Sequence, residues 1–219
     1  MGEINLMEKY PQSKRNLDQR AAERTKEDIA IAKQFGKDFF DGDRKQGYGG
    51  FNYHPRFWQN VVQDMIKHYK LTNKSKILDV GCAKGFMLYD FMQALSGISV
   101  QGIDISHYAV ENAKEEVKPY LKVGNAKDLR QFKNKEFDVV ISINTIHNLP
   151  PQECRQALQE IQRVGKKAFI VNDAWRNDEE KKRMLQWNLT GVTFMHVEDW
   201  KKVFEEVGFT GDYYWFIAE

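Results

Sequence analysis

The sequence predicts an α/β protein whose core is a doubly wound, mostly parallel β-sheet with helices on both faces. Three stretches indicate this fold class. Residues 76–86 read as an apolar strand, a glycine turn and the start of a helix, and residues 100–106 form a second apolar run that contains an acid. Residues 137–143 form a nearly continuous apolar run, as expected for a strand covered on both faces. Strands that alternate with helices in this way build a parallel sheet.

An N-terminal extension precedes this sheet. We expect one compact unit in which residues 1–57 form a helical and lid extension and residues 58–219 form the sheet domain. Residues 13–35 carry many charges and a thin apolar stripe, which predicts a surface helix that is either solvated or folded over the body. In residues 39–58 glycines alternate with aromatic and charged residues, without a helical or strand period. This composition suits either a lid over a binding site or an aromatic connector packed on the core.

The glycine turn carries the first functional signal. Gly81 and Gly85 permit a backbone path that side chains would block, and they let a ligand approach the first amides of the following helix. Asp79 places a negative charge at the end of the strand, which would repel a pyrophosphate and attract an ammonium group. Asp104 ends the next strand, where a carboxylate can accept both hydroxyls of a ribose. The pattern favours a nucleoside carrying an amino acid over NAD; the alternative is that both acids only cap strand ends.

Apolar residues at helical spacing predict the helices that surround the sheet. The predicted helical stretches are residues 58–69, 88–95, 109–117, 154–164 and 197–207. Glycines mark the ends of two of them, Gly165 and Gly208. The remaining predicted strands are residues 121–125, 167–171 and 211–217.

Residues 76–86 and 100–106, in this order and at this spacing, resemble the motifs of class I S-adenosylmethionine (SAM)-dependent methyltransferases. The resemblance spans residues 39–216. It implies a Rossmann-like methyltransferase sheet, SAM as cofactor and S-adenosylhomocysteine (SAH) as product. In that family the acid at Asp79 lies near the methionine part of SAM, and the acid at Asp104 binds the ribose. The cofactor site that the resemblance implies consists of Asp79, Gly81, Cys82, Ala83, Gly85, Phe86, Asp104, Ile105, Asn125, Ala126 and Asn144.

Two features depart from the family pattern. Where the family usually has an acid that accepts from the adenine amine, this chain has Asn125, whose amide oxygen can still accept; Asp128 is the second candidate. The family's sheet commonly ends in two strands that form a reversed hairpin, whereas one terminal strand is visible here. That difference concerns the far edge of the sheet and leaves the cofactor half unchanged.

Methyl transfer from a sulfonium is an in-line displacement, so the protein must align the acceptor, exclude water and, for a hydroxyl, remove a proton. His147 is the first candidate base because it follows the central strand by three residues and has an ordinary pKa near ~6.5. Many family members have a histidine at this place that only packs near the cofactor, so a packing role is the alternative. Asp173 and Tyr48, the latter in the predicted lid, are the other catalytic candidates.

Polar residues at consecutive strand ends predict an acceptor site. Asn144, Asn172 and Asp173 are expected to lie together beneath the substrate. They faintly resemble the oxygen ligands of magnesium-dependent methyltransferases, but an asparagine at the first position removes a charge that Mg²⁺ prefers. We therefore expect these residues to anchor a polar substrate, and we expect no metal site.

Composition and motifs limit the class of partner. A formal net charge of +2 over 219 residues gives no general attraction to nucleic acid or membranes. Asn144 is followed by Thr145 and Ile146, not by the Pro-Pro-aromatic run of amino-methylating DNA enzymes, and a Pro-Cys nucleophile is absent. Two cysteines without metal spacing and a polar N-terminus predict a reducing, cytoplasmic location. Oligomeric state stays open, with a homodimer as one alternative.

The glycine- and aromatic-rich stretch 39–58 and the turn from Gly81 to Gly85 resemble those of bacterial methyltransferases that modify sugars, polysaccharides or other small metabolites. The resemblance therefore implies a SAM-dependent methyltransferase acting on an oxygen or nitrogen atom of a small polar metabolite, such as a sugar- or nucleotide-linked compound. The first alternative is a SAM-using enzyme that transfers another group or eliminates part of SAM. The second is a SAM-binding domain without catalysis.

Overall fold

The computed structural model describes residues 2–11, 16–47 and 52–218, and a seven-stranded sheet forms its centre. The strands are β1 (Lys76–Val80), β2 (Ser99–Asp104), β3 (Leu121–Val123), β4 (Phe137–Ile143), β5 (Gly165–Trp175), β6 (Met195–His196) and β7 (Asp212–Phe216). The helices are α1 (Leu17–Glu23), α2 (Lys26–Ala32), α3 (Lys37–Asp41), α4 (Pro55–Tyr69), α5 (Phe86–Ala94), α6 (His107–Glu111), α7 (Pro151–Val164), α8 (Asp178–Trp187) and α9 (Val197–Val207). The predicted α/β architecture is confirmed.

The strand order places a ligand-binding edge at the centre of the sheet. It runs β3, β2, β1, β4, β5, with β6 and β7 both paired to β5, and the described pairings between strands are parallel. The winding direction reverses between β1 and β4. Open α/β sheets bind ligands outside the carboxyl ends of the strands at such a reversal.

Two apolar layers cover the sheet, because successive residues of a strand point to opposite faces. The layer with α7 and α9 includes the buried residues Val140, Leu158, Ile170 and Phe204. The layer with α4 and α5 includes Met65, Phe91, Ile141 and Phe169. Strand β4 contributes to both layers, which confirms that it is a central strand.

The N-terminal extension differs from the single helix predicted over residues 13–35. Helices α1 and α2 are separate because a capping box at Thr25 starts a new helix: its hydroxyl accepts from the Asp28 amide (3.1 Å), and the Asp28 carboxylate accepts from the Thr25 amide (2.9 Å). Helix α1 packs against α8, and α3 packs against α6. We call residues 16–47, which contact both sides of the carboxyl edge, the N-terminal cover.

The far edge of the sheet has one closing strand, as predicted. Strand β7 lies parallel to β5, and its other side is bordered by residues 2–4. The Ile4 amide donates to the Tyr213 carbonyl (2.9 Å), and the Tyr213 amide donates to the Gly2 carbonyl (3.0 Å). Residues 2–4 therefore satisfy backbone groups that an edge strand would otherwise expose.

Other boundaries differ in detail. Strand β5 is longer than the predicted 167–171, β3 is shorter than 121–125, and α6 ends well before residue 117. Helix α8 occupies a crossover for which no helix was predicted. In the part of the chain that the structure describes, no helix is long and apolar enough to cross a membrane.

Candidate functional site

The glycine turn joins β1 to α5 and is tied to β2. Gly81 has φ +88° and Gly85 has φ +75°, a region in which side chains are strained. The amides of Gly81 and Cys82 both donate to the Ile103 carbonyl, at 2.7 and 3.1 Å. These bonds hold the turn beside the end of β2, where Asp104 lies.

Asp104 is fixed by the turn itself. One carboxylate oxygen accepts from the Ala83 amide (2.8 Å), and the other accepts from the Ser106 amide (2.9 Å). Burial raises the pKa of Asp104, and these two hydrogen bonds oppose that rise. Each carboxylate oxygen has a second lone pair, so Asp104 can still accept two hydroxyls of a ligand.

Asp79 is a buried acid whose charge lacks compensation. Burial raises its pKa to about 8, and the nearby Asp104 carboxylate adds to the rise. No lysine, arginine or histidine of the described residues forms an ion pair with Asp79. An ammonium group would supply the missing positive charge, as the sequence predicts for the methionine end of SAM.

Thr145 connects the glycine turn to the end of β4. A Cβ added to Gly81 would lie 2.0 Å from the Thr145 hydroxyl oxygen, so this glycine is required for the two loops to meet. Thr145 is followed by a 3₁₀ turn, Ile146–Asn148, that contains His147. His147 lies two residues after Thr145, so this contact places the candidate base near the cofactor turn.

His147 and Asp173 form a buried pair at the ends of β4 and β5. The Nε2 atom of His147 lies 3.7 Å from the Asp173 carboxylate, and Nδ1 accepts from the Asp173 amide at 3.3 Å. Burial lowers the pKa of His147 and raises the pKa of Asp173, while each residue's charge opposes the shift of the other. Because Nδ1 is an acceptor here, the proton of the neutral ring belongs on Nε2, which faces Asp173.

The segment after α8 covers this pair. The amides of Val192 and Thr193 donate to the His147 carbonyl at 2.9 and 2.8 Å. The Asn188 side-chain amide donates to the Asp173 carboxylate at 3.4 Å. The pair is therefore enclosed by polar groups of the crossover that contains α8.

The predicted grouping of Asn144, Asn172 and Asp173 is wrong. Asn172 shares a sheet face with Ile170, in the layer of α7 and α9, whereas Asp173 shares the opposite face with Val171. Both polar side-chain atoms of Asn172 are buried without a hydrogen-bond partner. Asn144 is exposed with φ +50°. Asp173 is therefore the member of this set that meets His147.

The adenine end of the predicted site lies after β3. The Asn125 side-chain oxygen accepts from the Lys127 amide (3.1 Å), which leaves one lone pair for an adenine amine. Asp128 accepts two hydrogen bonds from the Arg130 guanidinium, both at 2.8 Å, and a third from the Arg130 amide at 3.3 Å, and these lower its pKa to about 2. Ala126 is buried, and Ile105 is half exposed beside the end of β2. Asn125 therefore remains the first candidate acceptor.

The N-terminal cover is fastened to the cofactor turn. The ammonium of Lys84 lies 2.5 Å from the Asp41 carboxylate, which also accepts from the Tyr108 hydroxyl at 2.7 Å. The Ser106 hydroxyl donates to the Phe35 carbonyl at 2.5 Å. These bonds hold the region near residue 41 against the cofactor turn, as expected for either a lid or a packed connector.

The rest of the predicted lid is described only in part. Tyr48 lies outside the described residues. Tyr53 donates to the buried Asp90 carboxylate at 2.7 Å, and its ring packs on Phe86 with centroids 5.8 Å apart. Whether residues 41–58 order on ligand binding stays a prediction.

Sequence reasoning missed the residues that connect the parts of the site. Thr145, Asp41 and Asn188 act through contacts between segments that are distant in sequence, so no local pattern marks them. Lys84 could have been found, because a lysine inside a glycine turn places its charge beside any ligand of that turn.

The comparisons with known proteins agree with this fold. A family model described as a methyltransferase domain matches residues 71–208. YcgJ from Bacillus subtilis is similar in fold, with TM-score 0.55 and 20% identity over 67% of this chain and 66% of YcgJ. A SAM-dependent methyltransferase from Archaeoglobus fulgidus aligns with TM-score 0.54 and 19% identity over 70% of both chains.

The MccD protein aligns with TM-score 0.53 and 27% identity over 71% of this chain and 72% of MccD. This chain spans just under two thirds of the length of YcgJ. No curated protein sequence matches it significantly.

Proposed function

Because the chain belongs to the methyltransferase-domain family, we propose that it transfers a methyl group from SAM to an oxygen or nitrogen atom of a small polar metabolite. The observation that carries this proposal is the buried His147–Asp173 pair, which lies at the carboxyl edge and is joined to the glycine turn through Thr145. Such a pair can receive the proton that a hydroxyl or ammonium acceptor loses.

SAM is the cofactor that this family membership implies, and the residues fit it. Asp79 would hold the ammonium group, Asp104 the ribose, and Asn125 the adenine amine. When bound, SAM supplies an electrophilic methyl group on a sulfonium.

The protein's own residues have two tasks in this proposal. The first is to exclude water, which the cover and the segment after α8 do by enclosing the edge of the sheet. The second is to accept a proton. Since Nε2 of His147 carries the proton of the neutral ring, we assign the accepting atom to the Asp173 carboxylate, which the Nε2–H of His147 faces at 3.7 Å.

Direct binding and product analysis test the proposal. Calorimetry with SAH should show binding that Asp104→Ala weakens by about 1–3 kcal/mol, because ribose hydroxyls lose a charged acceptor. Asp199→Ala is the matched control, since Asp199 is on the surface of α9 and pairs with Lys202. Equal SAH affinity in Asp104→Ala and wild type would contradict the ribose assignment.

Incubation with methyl-labelled SAM and fractionated metabolite pools tests the reaction itself. The proposal predicts SAH as the cofactor product and label in a small polar compound. Methylthioadenosine as product would indicate transfer of another group, and SAH binding without turnover on any fraction would favour a binding domain.

We also propose a cytoplasmic location, supported by two free cysteines, Cys82 and Cys154.

A further inference from the structure

Arginine side chains of the N-terminal cover gather beside the carboxyl edge of the sheet. The Arg20 guanidinium lies over Trp187, with Cζ 5.5 Å from the ring centroid. Arg24 donates to the carbonyl oxygens at the end of α8, including that of Asn188. Arg44 is exposed and close enough for its charge to act on Arg20. Three positive charges therefore share one region of the cover.

No carboxylate in the described part of the chain forms an ion pair with these three arginines. The nearby acids bind other groups: Asp18 accepts from Gln186, Glu23 from Gln19, and Asp28 from Thr25 and Gln46. Asp28 does exert an attractive charge on Arg24. For Arg20, burial lowers the pKa, and repulsion from Arg24 and Arg44 lowers it further. The three guanidinium groups thus lack a direct carboxylate partner among the described residues, although the charge of Asp28 reaches Arg24.

The arginines also have unused hydrogen-bond donors. The Nε atoms of Arg20 and Arg24 are buried and have no hydrogen-bond partner. The terminal nitrogens of Arg24 are used, because they bind the end of α8. A buried donor without an acceptor is costly, and a guanidinium fork matches the oxygens of a phosphate or carboxylate. No hydrogen bond of the Arg20 side chain occurs in the described part of the chain, so its terminal nitrogens are the donors left for an anion.

A short chain of contacts joins this cluster to the proposed proton acceptor. Asn188 accepts from Arg24 through its carbonyl and donates to the Asp173 carboxylate through its side chain at 3.4 Å. Asp173 in turn faces His147 at 3.7 Å. Arg24 and the proposed proton acceptor therefore contact the same residue, Asn188.

We infer that the methyl acceptor carries an anionic group, a phosphate or a carboxylate, which Arg20 binds directly with support from Arg24 and Arg44. This inference rests on the proposed function for the identity of the ligand as methyl acceptor. It narrows the substrate class from polar metabolites to acidic ones. The cover then contributes to substrate recognition as well as to excluding water.

The test uses the full chain saturated with SAH, with inorganic phosphate and malonate as separate probes. Titration followed by NMR of the arginine Nε–H groups should shift the Arg20 signal, because that donor gains an acceptor. Calorimetry should show that Arg20→Gln weakens binding of the preferred anion by about tenfold or more. The two probes decide between a phosphate and a carboxylate.

Arg155→Gln is the matched control, because Arg155 is paired with Glu206 away from the edge. It should bind the anion like wild type. Arg20→Gln should keep wild-type SAH affinity, because the described ring contact of Arg20 is with Trp187 and not with the glycine turn; loss of SAH binding as well would indicate a structural role. Arg44→Gln, at an exposed position, provides a second variant that should weaken binding less.

The inference is overturned if neither anion binds wild type at millimolar concentration, or if Arg20→Gln and Arg155→Gln bind it equally. Failure of the proposed function would look different. In that case the anion would bind as predicted, but SAH would not bind, or labelled SAM would give no methylated product.

Discussion

Thr145 stands directly over Gly81, so that a Cβ on Gly81 would lie 2.0 Å from its hydroxyl oxygen and 2.6 Å from its Cβ. This contact determines the distance between the loop that holds the cofactor and the loop that holds the candidate base. Both loops begin at neighbouring strands, β1 and β4, so a shift of one against the other would change the alignment that an in-line transfer requires.

We therefore predict that Gly81→Ala lowers SAH affinity by about tenfold or more, because Thr145 must move away from the turn. Gly97→Ala separates this effect from backbone strain. Gly97 has φ +92°, but its added Cβ would meet nothing closer than 3.7 Å, so it should lose about 1–3 kcal/mol of stability and keep SAH affinity. In Gly81→Ala/Thr145→Gly, part of the affinity should return. If calorimetry shows that Gly81→Ala binds SAH as tightly as wild type does, the steric argument is wrong.

Asp79 predicts a pH dependence of ligand binding. Its carboxyl must ionise to pair with an ammonium group, and its pKa is raised to about 8, so SAH affinity should increase from pH 6 to pH 7.5 by up to about tenfold per pH unit. Asp79→Asn should bind weakly and without this slope. Calorimetry at several pH values measures the SAH affinity of both proteins. If the affinities of wild type and Asp79→Asn change with pH in the same way, Asp79 is not the partner of the ammonium group.

The same group predicts a pH dependence of stability without ligand. An acid with a raised pKa keeps a proton in the folded state that the unfolded chain releases, so the free energy of unfolding should fall as pH rises from about 4 to about 8. Asp79→Asn should lack that part of the decline. Urea unfolding at several pH values measures the difference.

For the proton-accepting pair, we predict that Asp173→Asn slows methyl transfer by about 10²-fold or more while SAH affinity stays near that of wild type. The substitution keeps the size of the side chain and removes its charge. His147→Ala should give a similar loss, because both residues act as one unit. Single-turnover rates with the identified acceptor measure this.

The pattern of the two variants separates the possible roles. A large loss in His147→Ala with normal turnover in Asp173→Asn would assign the proton to histidine alone. Turnover within a few-fold of wild type in both variants would return the pair to a packing role.

The bonds between the cover and the cofactor turn predict the behaviour of the lid. Asp41→Asn removes the charge that binds Lys84, so amide exchange in residues 37–47 should become faster in the free protein. Adding SAH should slow exchange across residues 41–58 in wild type. Asp43→Asn is the control, because the described contact of the Asp43 side chain is with the nearby Lys45 amide. Equal exchange with and without SAH would indicate a fixed connector.

The central part of the fold was predictable because its signals are local. The strand, turn and helix around Gly81 follow from an apolar run, two glycines and a helical period in contiguous residues. The ends of α7 and α9 follow from Gly165 and Gly208 in the same way. Local signals also placed Asp79 and Asp104 at strand ends, where the structure has them.

The sequence-based predictions that were wrong concern features that depend on a single polar contact or on the length of a strand. Thr25 divides the N-terminal helix because it makes a reciprocal cap with Asp28. The spacing of Thr25 and Asp28 ahead of the apolar residues 29–32 is a local sign of this break, which an interpretation based on the charge-rich stripe alone passes over. The sequence predicts that β5 ends at residue 171, which would let Asn172 and Asp173 point to the same site. Since the strand continues to Trp175, alternation directs the two neighbouring side chains to opposite faces.

The pairing of residues 2–4 with β7 has a consequence for folding. The Trp215 indole donates to the Glu3 carboxylate across 212 residues of sequence, and contacts of such high separation are among the last to form. Until β7 docks, β5 presents an open strand edge to other chains. We therefore expect the refolding yield to fall as the protein concentration rises. We also expect the contact between Glu3 and Trp215 to form late, when β7 covers the edge of β5.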